Sequence, residues 1–232
     1  VKYAGESIQD KLTKVRAIMK KQNATMHILN SLYDIAWLLN IRGNDINNTP
    51  VVLSTAVITL DKVYYFVDEE KLNDEIKAEF NKIGIEVRNY FEIYDFVKTI
   101  QKDEVVLLDG TTVNYKLYRN IPSNVSIIDA PNPTFIFKAI KNEVELKNIR
   151  ECHIKDGVAM TKFMYWLKTN IGKIKITEIS ASDKLEQLRR SDKDCFDLSF
   201  PTISGYKEHA AMMHYSATKE SEYELKQEGL LL

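Results

Sequence analysis

The sequence predicts an α/β protein built in two parts, and three observations carry that prediction. Between residues 24 and 130, short runs rich in Val, Ile, Leu and Tyr alternate with segments of helical period, the pattern of helices layered on a mixed sheet. Residues 129–135, DAPNPTF, break the alternation with two prolines. Beyond them the chain becomes mostly helical, which marks a second part. A chain of 232 residues suits one large or two modest domains, either able to bury a core.

The elements follow in order. Ile8, Leu12, Val15 and Met19 recur at helical spacing and predict an amphipathic helix over Ile8–Gln22. MHILNSL reads as a short strand, and YDIAWLLN as a short helix ending near RGND. VVLSTAVIT and KVYYFVD, separated by two residues, read as an antiparallel hairpin. A helix over Glu69–Lys82, the strand IEVRNY, a helix over Phe91–Gln101, the strand DEVVLLD, a helix within TTVNYKLYRNI and the strand NVSIID continue the alternation. Pro131 and Pro133 favour extended backbone and exclude helix, which suits a linker. The boundary therefore falls near residues 131–137, dividing the chain into 1–133 and 134–232. A long helix over Glu143–Thr169 follows. A second helix starts within TEISASDKLEQLRR, with Thr177 as N-cap and Ser180 at N3. LSFPTIS and AAMMHY read as extended pieces, and the final GLLL as the beginning of a strand.

Composition removes several classes of function. The 32 Lys and Arg against 33 Asp and Glu leave a net charge of -1, so no electrostatic field points to nucleic acid or an acidic membrane. The longest apolar stretch, VVLSTAVITL, is too short to span a bilayer. The N-terminus shows no apolar signal-peptide core. It also lacks an initiator methionine, which points to a trimmed chain or to an internal piece of a longer one. Cys152 and Cys195 form neither a disulfide framework nor a metal knuckle, so a reducing cytoplasm is the expectation.

Chemistry-bearing residues are sparse. None of His27, His153, His209 and His214 belongs to a recognisable metal spacing. His27 alternates within an apolar strand and reads as a sheet position; His153 reads as a helix-surface residue. His214 follows AAMM, which places it on or at the end of a buried strand. There a neutral imidazole can donate and accept at once. Asn40, Arg42, Asn44 and Asp45 crowd around Gly43, an arrangement equally suited to a tight turn bonded to its own backbone and to ligand binding. Trp37 precedes them, as core or as a binding platform. No nucleophile elbow and no glycine-rich phosphate loop is present. Taken by themselves, the residues stop at a two-part α/β protein with one noteworthy histidine.

Longer stretches carry a resemblance. YDIAWLLNIRGNDINNTPVVLSTAVI resembles the middle domain of three-domain Xaa-Pro aminopeptidases, and YAGES with KLTKVR matches the segment that opens it. FKAIKNEVELKNIRECHIKDGVAMTKFMYWL resembles the start of the same enzymes' catalytic domain, and TEISASDKLEQLRR, DLSFPTIS and AAMMHY continue the match in order. The resemblance implies a creatinase/prolidase N-terminal-like α/β domain with a mixed sheet over residues 1–133. Over 134–232 it implies the first helices and strands of a pita-bread α+β domain. It also implies two divalent metal ions, manganese, held by two aspartates, a histidine and two glutamates, and cleavage ahead of a proline at the second position of a peptide. The first of those ligands would come one or two residues beyond Leu232. No metal ligand and no catalytic residue is therefore expected among these 232, and the fragment alone is expected to bind no cofactor and to be inactive.

Within that resemblance His214 matches a substrate-binding histidine, while Trp37, Arg42 and Asp45 are weaker candidates for the rim of the active-site cleft. A cytoplasmic homodimer acting on peptides, without nucleic acid or membrane, is the implied setting. Two departures stand out. Lys207, Glu208 and His209 occupy positions where glycine, proline and asparagine are common, a change able to narrow the substrate pocket. Tyr33 stands where an acidic residue is frequent. The altered loop keeps an alternative open: a metal-free pita-bread-like binding or scaffold protein. A third possibility is that residues 1–133 serve mainly in oligomerisation.

Overall fold

The structure is a computed structural model and describes residues 1–232. It forms two compact units, Val1–Leu146 and Lys147–Leu232. The first contains α1 (Ile8–Lys21), β1 (Met26–Leu29), α2 (Leu32–Leu38), β2 (Ser54–Thr59), β3 (Val63–Val67), α3 (Asp74–Lys82), β4 (Ile85–Asn89), α4 (Ile93–Phe96), β5 (Val105–Leu108), α5 (Tyr115–Asn120), β6 (Ser126–Asp129) and α6 (Pro133–Ala139). Helix α7 (Glu143–Asn170) starts there and runs into the second unit, which adds α8 (Glu178–Arg190).

The six strands form one mixed sheet in the order β4-β3-β2-β1-β5-β6. The expected β2–β3 hairpin is antiparallel, β1 pairs antiparallel with β2, and β3–β4, β1–β5 and β5–β6 are parallel. Successive strand residues face opposite sides of a sheet, so each strand feeds two cores. Leu29, Ala56, Ile58 and Tyr65 meet Leu12, Val15 and Met19 of α1 and Phe80 of α3 on one face. Ile28, Val57, Phe66 and Val106 meet Ile93, Val97 and Leu117 on the other. β1 is buried along its whole length, which explains its unbroken apolar character. His27 sits in its middle, fully buried, opposite Ile58 and Leu107.

Helix starts are written in side chains. Ser7 accepts from the Asp10 N–H at 3.1 Å, Asn73 from Ile76 at 2.9 Å and Asn114 from Leu117 at 2.9 Å, each satisfying a donor that the first helical turn leaves free. Two expected helices are shorter than their periodicity indicates. The segment 69–82 splits into a single 3-10 turn and α3, because buried Leu72 takes an extended conformation and Asn73 caps a new helix. Residues 91–101 form one turn of α-helix flanked by 3-10 turns.

The DAPNPTF segment differs more. Its prolines do not exclude helix: Pro133 occupies the first turn of α6, where a missing N–H costs nothing and the fixed φ suits the helix. Helix α6 packs on α2. Phe137 stacks with Trp37 at 6.5 Å between centroids, and Lys138 pairs with buried Asp34 at 2.8 Å. These contacts hold α6 within the first compact unit, Val1–Leu146. Asn142, just ahead of α7, accepts from the Val144 and Glu145 N–H groups, each at 3.0 Å, and donates to the Ala4 carbonyl at 2.8 Å.

In the second unit, Ile176, Ala181, Tyr206 and Leu225 form a small core with Phe163, Trp166 and Leu167 of α7. The expected capping box starts α8: Ser180 N–H donates to the Thr177 hydroxyl at 3.2 Å and Thr177 N–H to the Ser180 hydroxyl at 2.8 Å. Replacing Thr177 by alanine should cost about 1 kcal/mol, read as a lowered denaturation midpoint; an unchanged midpoint would show that the Ser180 half of the box suffices. Leu230–Leu232 pair antiparallel with Gly205–Lys207 through the single bridge Tyr206–Leu231, short of the strand that GLLL suggests. AAMMHY is not extended. A 3-10 turn covers Lys207–Ala211, Met212 and Met213 are exposed, and no ladder partner lies along 210–215. No helix is long and apolar enough to cross a membrane.

Candidate functional site

Trp37, Arg42 and Asp45 all lie in the first unit, around the turn that ends α2. The buried Trp37 ring carries the Lys11 amine 4.4 Å from its centroid. That amine also donates to the Trp37 carbonyl at 2.7 Å and to Asn40 Oδ1 at 2.6 Å. Burial lowers the Lys11 ammonium to about 8, against the pull of Glu145 and Glu6. Arg42 Nη1 donates to the Ala36 and Ile41 carbonyls at 2.9 and 2.7 Å, neutralising acceptors at the carboxyl end of α2. Asp45 Oδ2 accepts from Leu53 N–H and Lys71 Nζ, both at 2.7 Å. Partial burial pushes the Asp45 carboxyl up, but these bonds outweigh it and hold it below the usual carboxylate range. At Gly43 a Cβ would come within 2.4 Å of a Val52 methyl, so the turn closes too tightly for a side chain. Arg42 and Asp45 thus bond to the backbone around their own turn, Asp45 also pairing with Lys71, while Trp37 packs between Lys11 and Phe137.

His214 belongs to the second unit and is not on a strand. It sits exposed in a turn with φ +58°. The residue beside it is anchored. Tyr215 donates its hydroxyl to Glu178 Oε2 at 2.8 Å. Glu178, in the first turn of α8, is fully buried, an unusual place for a carboxylate unless it is fully hydrogen-bonded. It is: Oε1 accepts from Tyr206 N–H at 2.6 Å, Oε2 from Tyr223 N–H at 2.9 Å, and both oxygens lie 3.0–3.1 Å from His209 Nδ1. The positive end of the helix dipole adds to this. Burial raises the Glu178 carboxyl, yet the Tyr223, Tyr206, Tyr215 and His209 bonds prevail, so it lies below its ordinary range and stays charged.

Aromatic rings close the cluster. The His209 imidazole is stacked with Tyr215 at 4.3 Å and with Tyr223 at 3.9 Å between centroids, and the Tyr223 hydroxyl donates to Glu208 Oε1 at 3.0 Å. Glu208 and His209 of the departing loop are thus tied into the unit. A shallow open groove borders the cluster, lined by Tyr206, Lys207, Glu208 and Tyr223 among others. Sequence reading placed the Thr177 cap but passed over Glu178 and assigned His209 no partner. The one signal was an acidic residue directly after an N-cap.

A dimetal centre is the cofactor that the resemblance implies. No group of three or more His, Cys, Asp or Glu side chains converges where it could hold a metal ion. Asp192 and Asp194 share the Lys155 ammonium, and Glu186 and Asp197 the Arg190 guanidinium. These residues do not fit such a centre.

A mixed six-stranded sheet with helices on both faces, followed by a helical unit entered through a long helix, defines a creatinase-like domain joined to the opening of a pita-bread domain. Residues 1–145 match the creatinase/prolidase N-terminal domain and residues 147–232 match metallopeptidase family M24. The chain belongs to the creatinase/prolidase N-terminal domain family. It is 37% identical over 218 residues to Xaa-Pro aminopeptidase 1 of Dictyostelium discoideum, with 92% of this chain and 34% of the relative covered. It is 30% identical to aminopeptidase P1 of Arabidopsis thaliana, covering 100% of this chain and 43% of that protein. Among solved structures, the X-prolyl aminopeptidase of Caenorhabditis elegans, described as a cytosolic enzyme with a di-nuclear active site, superposes with a TM-score of 0.90 at 29% identity. That match covers 97% of this chain and 38% of that one. An Xaa-Pro dipeptidase from Bacillus anthracis shares the fold at TM-score 0.69 and 15% identity, covering 95% and 58%. The chain therefore spans well under half the length of these two aminopeptidase relatives.

Proposed function

We propose that this chain is part of a dimetal-dependent Xaa-Pro aminopeptidase, hydrolysing the bond between an N-terminal residue and a following proline. The observation that carries the proposal is that both units resemble such an enzyme at once and in order, with the TM-score of 0.90 extending over 97% of the chain. In this reading the metal ions, manganese, are held by residues other than those described here. The protein is a cytoplasmic homodimer. Residues 1–133 form its middle domain and 134–232 the start of its catalytic domain. His214 contacts the substrate, and Trp37, Arg42 and Asp45 keep their turn rigid at the cleft rim.

The test is an assay of the full-length protein on an Xaa-Pro-Yaa peptide, with Mn2+ and after chelation. Metal-dependent release of the first residue is expected. A folded, metal-supplied protein that releases nothing sinks the proposal and leaves the metal-free binding protein as the better account, which the charged Lys207–His209 loop favours.

A further inference from the structure

We propose that Glu178 and His209 are positioning residues that lock Tyr215 and thereby hold His214 in place; the assignment rests on the aminopeptidase reading, in which His214 meets the substrate. Tyr215 is gripped at two points, hydroxyl and ring. Its hydroxyl donates to Glu178 Oε2 at 2.8 Å, and its ring stacks with His209 at 4.3 Å, while His209 Nδ1 bonds to the same carboxylate. Hydrogen bonds to a charged acceptor are among the stronger ones, and stacked rings add geometric definition.

The carboxylate itself cannot drift. It stands in the first turn of α8, whose start is set by the Thr177–Ser180 box, and it takes the N–H groups of Tyr206 and Tyr223 from two further segments. One buried group thus fixes the helix, residues 206 and 209, residue 215 and residue 223 in a common frame.

His214 needs such a frame. It is exposed, flanked by exposed Met212 and Met213, lies in a turn, and holds φ +58°, a conformation that non-glycine residues seldom adopt without support. Its own segment forms no ladder with a neighbour. Tyr215, one residue on, is therefore the nearest fixed point. A binding side chain works only when the groups behind it are locked, and this chain builds the lock with His209 and Glu178.

The experiment compares wild type, Tyr215→Phe and His209→Ala in the full-length protein, each alone and combined with His214→Ala. Tyr215→Phe removes the hydroxyl bond and keeps the ring; His209→Ala removes the stack and keeps the hydroxyl bond. Each should lower kcat/KM on the peptide about tenfold, mostly through KM, and change it less than about twofold once His214 is already alanine. Equal losses in both backgrounds, or no loss in either, overturn the assignment.

Hydrogen exchange of residues 210–218 gives a reading that needs no activity. Exchange about threefold faster or more in both variants, with 180–190 unchanged, supports the lock. Unchanged exchange at 210–218, or faster exchange throughout the unit, contradicts it. An inactive wild type refutes the aminopeptidase reading, and exchange alone then decides whether the lock exists.

Discussion

Glu178→Ala is expected to destabilise the second unit by about 3–5 kcal/mol, because several buried donors lose one shared acceptor at the same time. The variant strips the acceptor from the Tyr206 and Tyr223 N–H groups, the Tyr215 hydroxyl and His209 together. Each donor left buried without a partner costs about 1–3 kcal/mol. Tyr206 is the most exposed to this, since its ring also lies in the small core with Ile176 and Leu225. Trp166 is the only tryptophan of this unit, so denaturant unfolding followed by fluorescence in a Trp37→Phe background reports on it. A loss below about 1 kcal/mol would mean that water enters and satisfies the freed groups.

The pH dependence of this unit follows with a definite sign. The folded Glu178 carboxyl lies below its ordinary value, so the folded state holds fewer protons than the unfolded one in that range. Its contribution is complete above the ordinary carboxylate value and is lost as pH falls through the lowered one.

The first unit should lose about 3 kcal/mol of stability between pH 6.5 and pH 4 because of His27. Burial lowers this imidazole from 6.5 to about 4, an effect that the Leu107 hydrogen bond and the charges of Asp34 and Asp109 only partly offset. The ring is fully buried, its Nδ1 donates to the Leu107 carbonyl at 3.0 Å, and Nε2 has no partner. Protonation would add a buried Nε2–H that has no acceptor. Between the two values the unfolded chain binds a proton that the folded one refuses, so stability is whole above 6.5 and drains toward 4. Urea unfolding followed through Trp37 across this range is the check. His27→Gln, which cannot titrate, should flatten the profile there; an equally steep profile in that variant would assign the loss to other groups.

Much of the fold was legible because local chemistry and tertiary packing agree. The 3.6-residue spacing of Ile8, Leu12, Val15 and Met19 is the buried face of α1. The VVLSTAVIT and KVYYFVD runs pair as read, and Thr177 caps where its side chain dictates. Pro133 was misread because a proline forbids the interior of a helix and not its first turn. AAMMHY was misread because an apolar run becomes a strand only where a neighbour offers a ladder. Here the preceding backbone is instead drawn to Glu178 through Tyr206 and His209.

Local spacing suffices for the alternation of helices and strands in residues 1–130, the helical character beyond, the cap of α8 and the resemblance carried by contiguous motifs. All of these rest on spacings of a few residues, where backbone geometry sets the period. Packing in three dimensions sets the place of α6 against α2, the bonds of Arg42 and Asp45 to their own turn, and the partners that Glu178 gathers from 28, 31, 37 and 45 residues away. A buried carboxylate becomes favourable only when several distant donors arrive together, and no local period records that convergence.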